Sequence, residues 1–449
     1  MNPVTIIGPG TVLSSFETNP TVISNAGVAI EEGRIIDVGA FEELGAAHPR
    51  AELLDAHGGL ILPGLVNLHH HFYSALARGL DPGRPMRDFR EILEGLWWRL
   101  DRALDAETVE LSAALSLADC IRWGCTTVFD HHASPSFLSG SLELLADVVK
   151  ETGLSAVLCY EVSDRNGHDE ALAGLEENLQ FASDHRDDPR LRGLLGLHAS
   201  FTVSDATLQQ AAAQRPGDLG VHIHLAEDQL DGDLSQERHG RTPLDRLDHF
   251  GLLDGHALLA HGVHLDPHDV SKIAESGATL IHNPESNSNN AVGRLDLEAA
   301  LSLGCTVGLG TDGMSSAMLR SLRAAFLGRR AGTADPSTGF DSVSGLLAAN
   351  ARRAAQCFGE PLFGQLQTGA PADVIVIDGP PPTPVTPANT LGHMLYGASE
   401  SVVRHTVARG RVLLKDFSHT TLDVGGIADQ ARAATPALWE RFKELDPGS

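Results

Sequence analysis

Residues 60 to 71 read LILPGLVNLHHH, an apolar, β-prone run that contains Pro63 and Gly64 and ends in three histidines. A strand turns successive side chains to opposite faces, so His69 and His71 share one face and His70 points the other way. Two imidazoles two residues apart on one strand can grip a single metal ion. The same letters also fit a histidine-rich strand end or a surface cluster, and only the rest of the chain separates these readings.

Seven further β-prone runs follow: TTVFDHH (126 to 132), SAVLCYEV (155 to 162), LRGLLGLHAS (191 to 200), GVHIHLAE (220 to 227), ALLAHGVH (257 to 264), TLIHNPES (279 to 286) and TVGLGTDG (306 to 313). Helical stretches such as Leu142 to Thr152, Pro243 to Phe250 and Asp266 to Glu275 lie between them. Regular alternation of strand and helix predicts a parallel sheet, and eight such units predict an α/β fold of the closed (β/α)8 TIM-like barrel type. A doubly wound open sheet is the alternative. Polar residues gather at the C-terminal ends of the runs: His69 and His71, Asp130, Glu161, His198, His224 and Glu227, His261, His282 and Asp312. In a barrel those ends converge on one mouth, the face where catalytic groups of such folds sit.

The flanks have a different texture. Residues 1 to 59 and 368 to 416 are short strand-like runs punctuated by glycine, and 426 to 446 read as a closing helix with Trp439 and Phe442. The expected organisation is a small β-sandwich built from 1–59 and 368–449, beside a barrel over 60–367. The 449-residue chain has 33 basic and 59 acidic residues, 33 − 59 = −26, a charge that opposes nucleic acid and anionic membrane surfaces. No apolar stretch approaches the ~20 residues of a membrane span. The N-terminus lacks the pattern of a secretory signal, and five scattered cysteines form no C-x-x-C pair, which points to a soluble, reduced, cytoplasmic protein.

The site assembles from strand ends. In VHIHLAED, His222 and His224 share a face, and His224, nearer the mouth, is the better third ligand. Glu227 stands just beyond the strand, where a proton shuttle is needed; a solvated turn glutamate is its plainer reading. His261 could bind the metal or polarise the bond under attack, or be a core histidine. Asp312, between glycines in GLGTDG, could be a fourth ligand and take a proton from water. Nitrogen and oxygen donors of this kind suit one divalent ion, zinc or iron, with a position left open for water.

This conjunction of motifs resembles the amidohydrolase superfamily over nearly the whole sequence. PGLVNLHHHFYSALARG, HLAED, LLAHGVHLD, HNPESN and GLGTDG are similar to its hydrolytic deaminase and chlorohydrolase branch. LWWRLDRAL, DHHASP, CYEVSDRNG and HNPESNSNNAVG are closer to an aminohydrolase family associated with selenium-dependent molybdenum hydroxylases. The resemblance implies His69, His71, His224 and Asp312 as metal ligands, Glu227 and Asp312 in proton transfer, and His261 polarising the substrate. It implies a substrate contact at His198 and places His282, Asn283 and Asn287 near the pocket, in roles of substrate contact or loop stabilisation. Glu161 and Arg165, crowded at the third strand end, are further candidates for substrate recognition, with a surface ion-pair cluster as the alternative.

Binuclear members use a bridging carboxylated lysine, and no lysine stands at such a position here, so one metal is expected. His131 and His132 are candidates for orienting ligands or lining a polar pocket. Trp97 and Trp98 are expected to pack in the core rather than stack on substrate, and residues 80 to 95 are long enough for a lid. The implied reaction is water attack on an sp² ring carbon of an amino-substituted N-heterocycle, a purine, oxidised purine or pterin, with loss of ammonia. Ring opening of a cyclic amide or amidine is the alternative, and a noncatalytic scaffold a more distant one. The small-molecule heterocycle is the expected partner, and a homo-oligomer the expected assembly.

Overall fold

The computed structural model describes residues 4–333 and 335–445. The run from 60 to 71 divides into two strands, Leu60–Pro63 and Leu65–His70, which belong to different sheets. Gly64 is the joint. Its amide donates to Asp373 O at 2.9 Å, whereas the next amide, of Leu65, donates to Gly124 O at 3.0 Å. A Cβ at Gly64 would overlap Thr126 Oγ1, so the close approach requires glycine.

Leu60–Pro63 pairs in parallel with Thr5–Leu13 and antiparallel with Val374–Ile377, which knits both ends of the chain into one nine-stranded sheet. The sheet draws strands from both terminal segments and reaches past residue 59 to include Leu60–Pro63. Ile7, Val12, Val28, Ile61, Val374 and Val376 fill its core. The closing helix runs from Val424 to Glu444; its Phe442 is buried under the Arg99 guanidinium, and Trp439 Nε1 donates to Leu76 O at 3.0 Å.

The remaining strands are parallel. β1 (Leu65–His70), β2 (Cys125–His132) and β3 (Ser155–Tyr160) form a sheet with the short strand Leu191–Gly193. β4 (Leu195–Ala199), β5 (Val221–Leu225), β6 (Leu258–His261), β7 (Thr279–His282) and β8 (Thr306–Leu309) form a second sheet. The run LRGLLGLHAS, expected as one strand, changes partner at Leu194: the Leu194 amide donates to Leu158 O in β3, and the Leu195 amide to Gly220 O ahead of β5. At the other margin the Thr311 and Asp312 amides both donate to His69 O, at 3.1 and 2.9 Å, and His70 bridges Asp312 in parallel.

Helices alternate with these strands and start where side chains can accept the free amides of a first turn. Asp105 and Thr108 form a reciprocal cap on Ala106–Arg122, while Ser204, Thr242 and Asp266 cap Asp205–Gln214, Pro243–His249 and Pro267–Ser276. No helix of the described residues is long and apolar enough to cross a membrane.

Candidate active site and metal centre

β1 delivers His69 and His71 to one face, as alternation demands, while His70 turns away to lie 3.3 Å from Ser316 Oγ. Nε2 of His71 is 3.3 Å from Nε2 of His224 at the end of β5 and 3.0 Å from Oδ1 of Asp312 beyond β8. His69 Nε2 stands 3.9 Å from that same Oδ1. His261, closing β6, points Nε2 to Oδ2 of Asp312 at 3.8 Å and to Oε2 of Glu227 at 3.5 Å. The structure therefore brings all four expected ligands, His69, His71, His224 and Asp312, together with Glu227 and His261.

The local backbone is strained to do this. Ala226, His261 and Asp312 have φ of 47°, 75° and 55°, the left-handed region that non-glycine residues avoid, and such strain clusters where side chains must be aimed.

The donor set fits a cation. His71 Nδ1 donates to His131 O at 2.6 Å and His224 Nδ1 to His198 O at 2.8 Å, which turns both Nε2 lone pairs inward. Two Nε2 atoms 3.3 Å apart beside a carboxylate call for a proton or a metal ion between them. Burial lowers the His71 imidazole, yet the hydrogen bond and charge of Asp312 carry it up to about 9. Burial and neighbouring imidazoles hold His69 and His224 well below the ordinary histidine range, in the neutral form that ligates. Nε2 of His69 and of His261 are buried with no hydrogen-bond partner. Burial opposes the charge of Asp312, but His71 and the surrounding imidazoles keep its carboxyl well below the usual range.

A second layer orients these groups. His222, the neighbour of His224 on β5, sits behind the cluster with Nε2 2.9 Å from His69 Nδ1. His131 spans Glu161 Oε1 at 3.1 Å and His222 O at 3.1 Å, and Glu161 also lies 3.3 Å from His71 Nδ1. His132 donates to Ser134 Oγ at 2.8 Å. Imidazoles and carboxylates at this distance fix ring orientation and tautomer. From the helix Pro284–Asn289, Asn287 Oδ1 accepts from His261 Nδ1 and Ser286 Oγ donates to Asp312 Oδ2; just past that helix, Asn290 Nδ2 donates to Glu227 Oε1 at 3.2 Å.

A cavity opens onto His71, His224, Glu227 and Asp312. Glu161 and His198 line it. Arg165 does not: its guanidinium stacks over the Trp98 ring at 4.8 Å and pairs with Asp101 at 3.0 Å, behind the wall. His282 faces a separate cavity, lined also by Asn287, Arg294 and Arg329, and does not line the first. Trp97 and Trp98, expected in the core, line the first cavity, as do Phe89 and Leu93 of the segment 80–95. Among the lining residues the sequence did not flag, with Phe201 and Asp231, is Asp101. Its only signal was the spacing of three from Trp98 on a helix, which places both on one face.

The amidohydrolase family model matches residues 60–413, and a bacterial imidazolonepropionase-like composite domain model matches residues 26–51. A 5-methylthioadenosine/S-adenosylhomocysteine deaminase of Haloarcula marismortui is 35% identical over 398 residues, covering 86% of this chain and 89% of that protein. An adenosine deaminase from Xanthomonas campestris, solved with bound zinc, superimposes with a TM-score of 0.83 at 23% identity over 98% of this chain and 99% of that one. Atrazine chlorohydrolase from Arthrobacter aurescens, complexed with zinc, gives 0.77 at 22% identity over 96% and 100%. This chain belongs to the amidohydrolase family.

Proposed function

We propose that this chain is a mononuclear metal-dependent aminohydrolase that replaces the exocyclic amine of an N-heterocycle by oxygen, releasing ammonia. The observation that carries the reading is the convergence of the His71 and His224 Nε2 lone pairs on Asp312, with Glu227 and His261 alongside. The deaminase name of the relative from Haloarcula marismortui favours an amino-purine, free or as a nucleoside, over other rings. The narrower kinship with aminohydrolases that accompany selenium-dependent molybdenum hydroxylases stays part of this proposal.

His69, His71, His224 and Asp312 would hold one divalent ion, zinc before iron, and the zinc in two structural neighbours supports that order. Such an ion supplies Lewis acidity that makes a water nucleophilic near neutrality. Asp312 accepts the proton of that water. Burial raises the Glu227 carboxyl above its ordinary range, which suits a group that carries a proton to a ring nitrogen of the substrate. His261, with Nδ1 engaged by Asn287, directs Nε2 at the charge that develops on the reacting carbon. His198 and Glu161 contact the ring from the cavity wall. Arg165 acts on the substrate through Trp98 and Asp101, which it holds, and His282 from the neighbouring cavity beside Asn287.

The fold that presents this mouth is, in our reading, a closed (β/α)8 barrel over about 60–367 with a composite β-sandwich from 1–59 and 368–449. The partner change at Leu194 and the hydrogen bonds from Thr311 and Asp312 to His69 support closure. Five unpaired cysteines support a cytoplasmic setting. A homo-oligomer remains part of the proposal.

The test is mass spectrometry of products after incubating metal-loaded protein with amino-purines, oxidised purines and pterins. Exchange of amine for oxygen with ammonia released is expected. Addition of a whole water with nitrogen retained would move the assignment to ring opening, and no product from any ring would overturn both.

A further inference from the structure

A second cavity lies one helix away from the metal cluster. Buried His282, Pro284 and Asn287 line it, together with the more exposed Arg294, Asp296 and Arg329. The helix Pro284–Asn289 forms part of its wall, and that helix also holds His261 through Asn287 and Asp312 through Ser286. Carboxylates line the first cavity and, among the described residues, no lysine or arginine does. The second cavity reverses that balance.

His282 is 6% exposed and its side chain makes no hydrogen bond among the described residues. Nδ1 is sealed from solvent but Nε2 is not, so the ring keeps one reachable nitrogen, on the cavity that it lines. A buried polar side chain without a partner costs free energy, and one bordering a cavity has room there for a ligand atom.

Arg294 is seated rather than loose. Gly328 and Gly332 stand four residues apart on the helix Met318–Thr333, which puts both on one face. Gly328 O accepts from Arg294 Nη1 at 2.7 Å, and a Cβ at Gly332 would overlap the guanidinium. Glycine inside a helix costs about 1 kcal/mol relative to alanine, and here it clears the shelf on which the arginine lies. Nε and Nη2 of Arg294 stay uncommitted. Arg329, on the same helix, commits Nη2 to Glu298 and leaves Nη1 open. The one carboxylate of the lining, Asp296, is engaged as the cap of the helix Leu297–Ser302.

An anion complements this arrangement. Two guanidinium groups and an imidazole reach the cavity from a loop, a helix and the end of β7, and a tetrahedral oxyanion accepts along several such directions, whereas one fork satisfies a carboxylate. We propose that the cavity between the helices Pro284–Asn289 and Met318–Thr333 is a phosphate site, taking that group free or as a monoester. Arg294 and Arg329 supply the charge and His282 the buried contact. Binding there does not depend on the deaminase reading.

The experiment is calorimetric titration of the full-length, metal-loaded chain with inorganic phosphate and with glycerol 2-phosphate, at one ionic strength because salt screens exposed arginines. The wild type should bind at least one of them with a Kd of about 1 mM or below. Arg294→Gln should weaken that binding about 10-fold or more. Gly332→Ala keeps every charge and should leave the thermal midpoint equal or higher, yet weaken binding similarly by pushing the guanidinium off its shelf. Tighter binding of the ester assigns a phosphorylated metabolite as ligand, and tighter binding of inorganic phosphate assigns the free ion. Binding that survives Arg294→Gln unchanged would put the phosphate elsewhere, the metal cavity included, and overturn the site. So would a wild type that takes up neither probe.

Discussion

His261 Nδ1 donates to Asn287 Oδ1 at 2.8 Å, a hydrogen bond that ties the end of β6 to the helix Pro284–Asn289. An amide oxygen can only accept, so this contact fixes the imidazole with Nε2 toward Glu227 and Asp312. Asn287→Ala frees the ring to rotate while leaving the ligands untouched. Turnover should fall about 10- to 100-fold with KM and bound metal nearly unchanged. Steady-state kinetics on the substrate from the product assay, with metal analysis of the same sample, checks this; unchanged kcat would remove Asn287 from the mechanism.

A metal ion held by the inward-facing Nε2 atoms of His71 and His224 would add to folded-state stability. Ligand that binds only the native state at 100 times its Kd adds about 2.7 kcal/mol. Chelation should therefore lower the thermal midpoint by several degrees and abolish turnover, and zinc should restore both. Asp312→Asn should bind metal more weakly and lose nearly all activity with the far-ultraviolet dichroism of the wild type. Substantial residual turnover would overturn its role as proton acceptor.

Asp231 offers a test of linkage. Burial raises its carboxyl to about 7, although the Ala226 and Phe201 amides donate to it and pull the other way. The folded state holds that proton where the unfolded chain, with a carboxyl near ~3.9, has released it. The stabilisation is fully present below about pH 4 and is lost as pH rises through about 7. In Asp231→Asn this falling component should be absent, so the difference in stability between wild type and variant, read from denaturant curves, should shrink as pH rises over that range. A difference that does not vary with pH would show that Asp231 titrates normally.

Gly64 sits where one sheet hands the chain to another. In Gly64→Ala the new methyl collides with Thr126, and overpacking of this kind costs about 1–3 kcal/mol. The denaturant midpoint should drop accordingly. Pairing it with Thr126→Ala, which removes both Oγ1 and Cγ2, should recover part of the loss.

The donor cluster is legible in the sequence because its cause is local. Strand alternation alone separates His69 and His71 from His70, and position along β5 alone favours His224 over His222. The helices Ser141–Thr152, Pro243–His249 and Pro267–Ser276 likewise fall within a residue or so of their sequence expectation, since caps and apolar spacing act over a single turn. The run 60–71 was harder: β-propensity is continuous across Pro63 and Gly64, and only the neighbouring strands assign its halves to different sheets.

What the sequence determined by itself is the set of donors at strand ends and the alternating order that delivers them to one face, because both follow from the pleat of a strand. Tertiary structure alone decided which groups stand behind and around them. Arg165 reaches Asp101 across 64 positions, and Asn287 reaches His261 across 26. Pairings of that separation are set by how helices seat on sheets, and no local periodicity records them. The same holds for Trp98: its spacing marks a buried face, but only the packing of its helix set that face against Phe89, Leu93 and Val292 and onto the cavity.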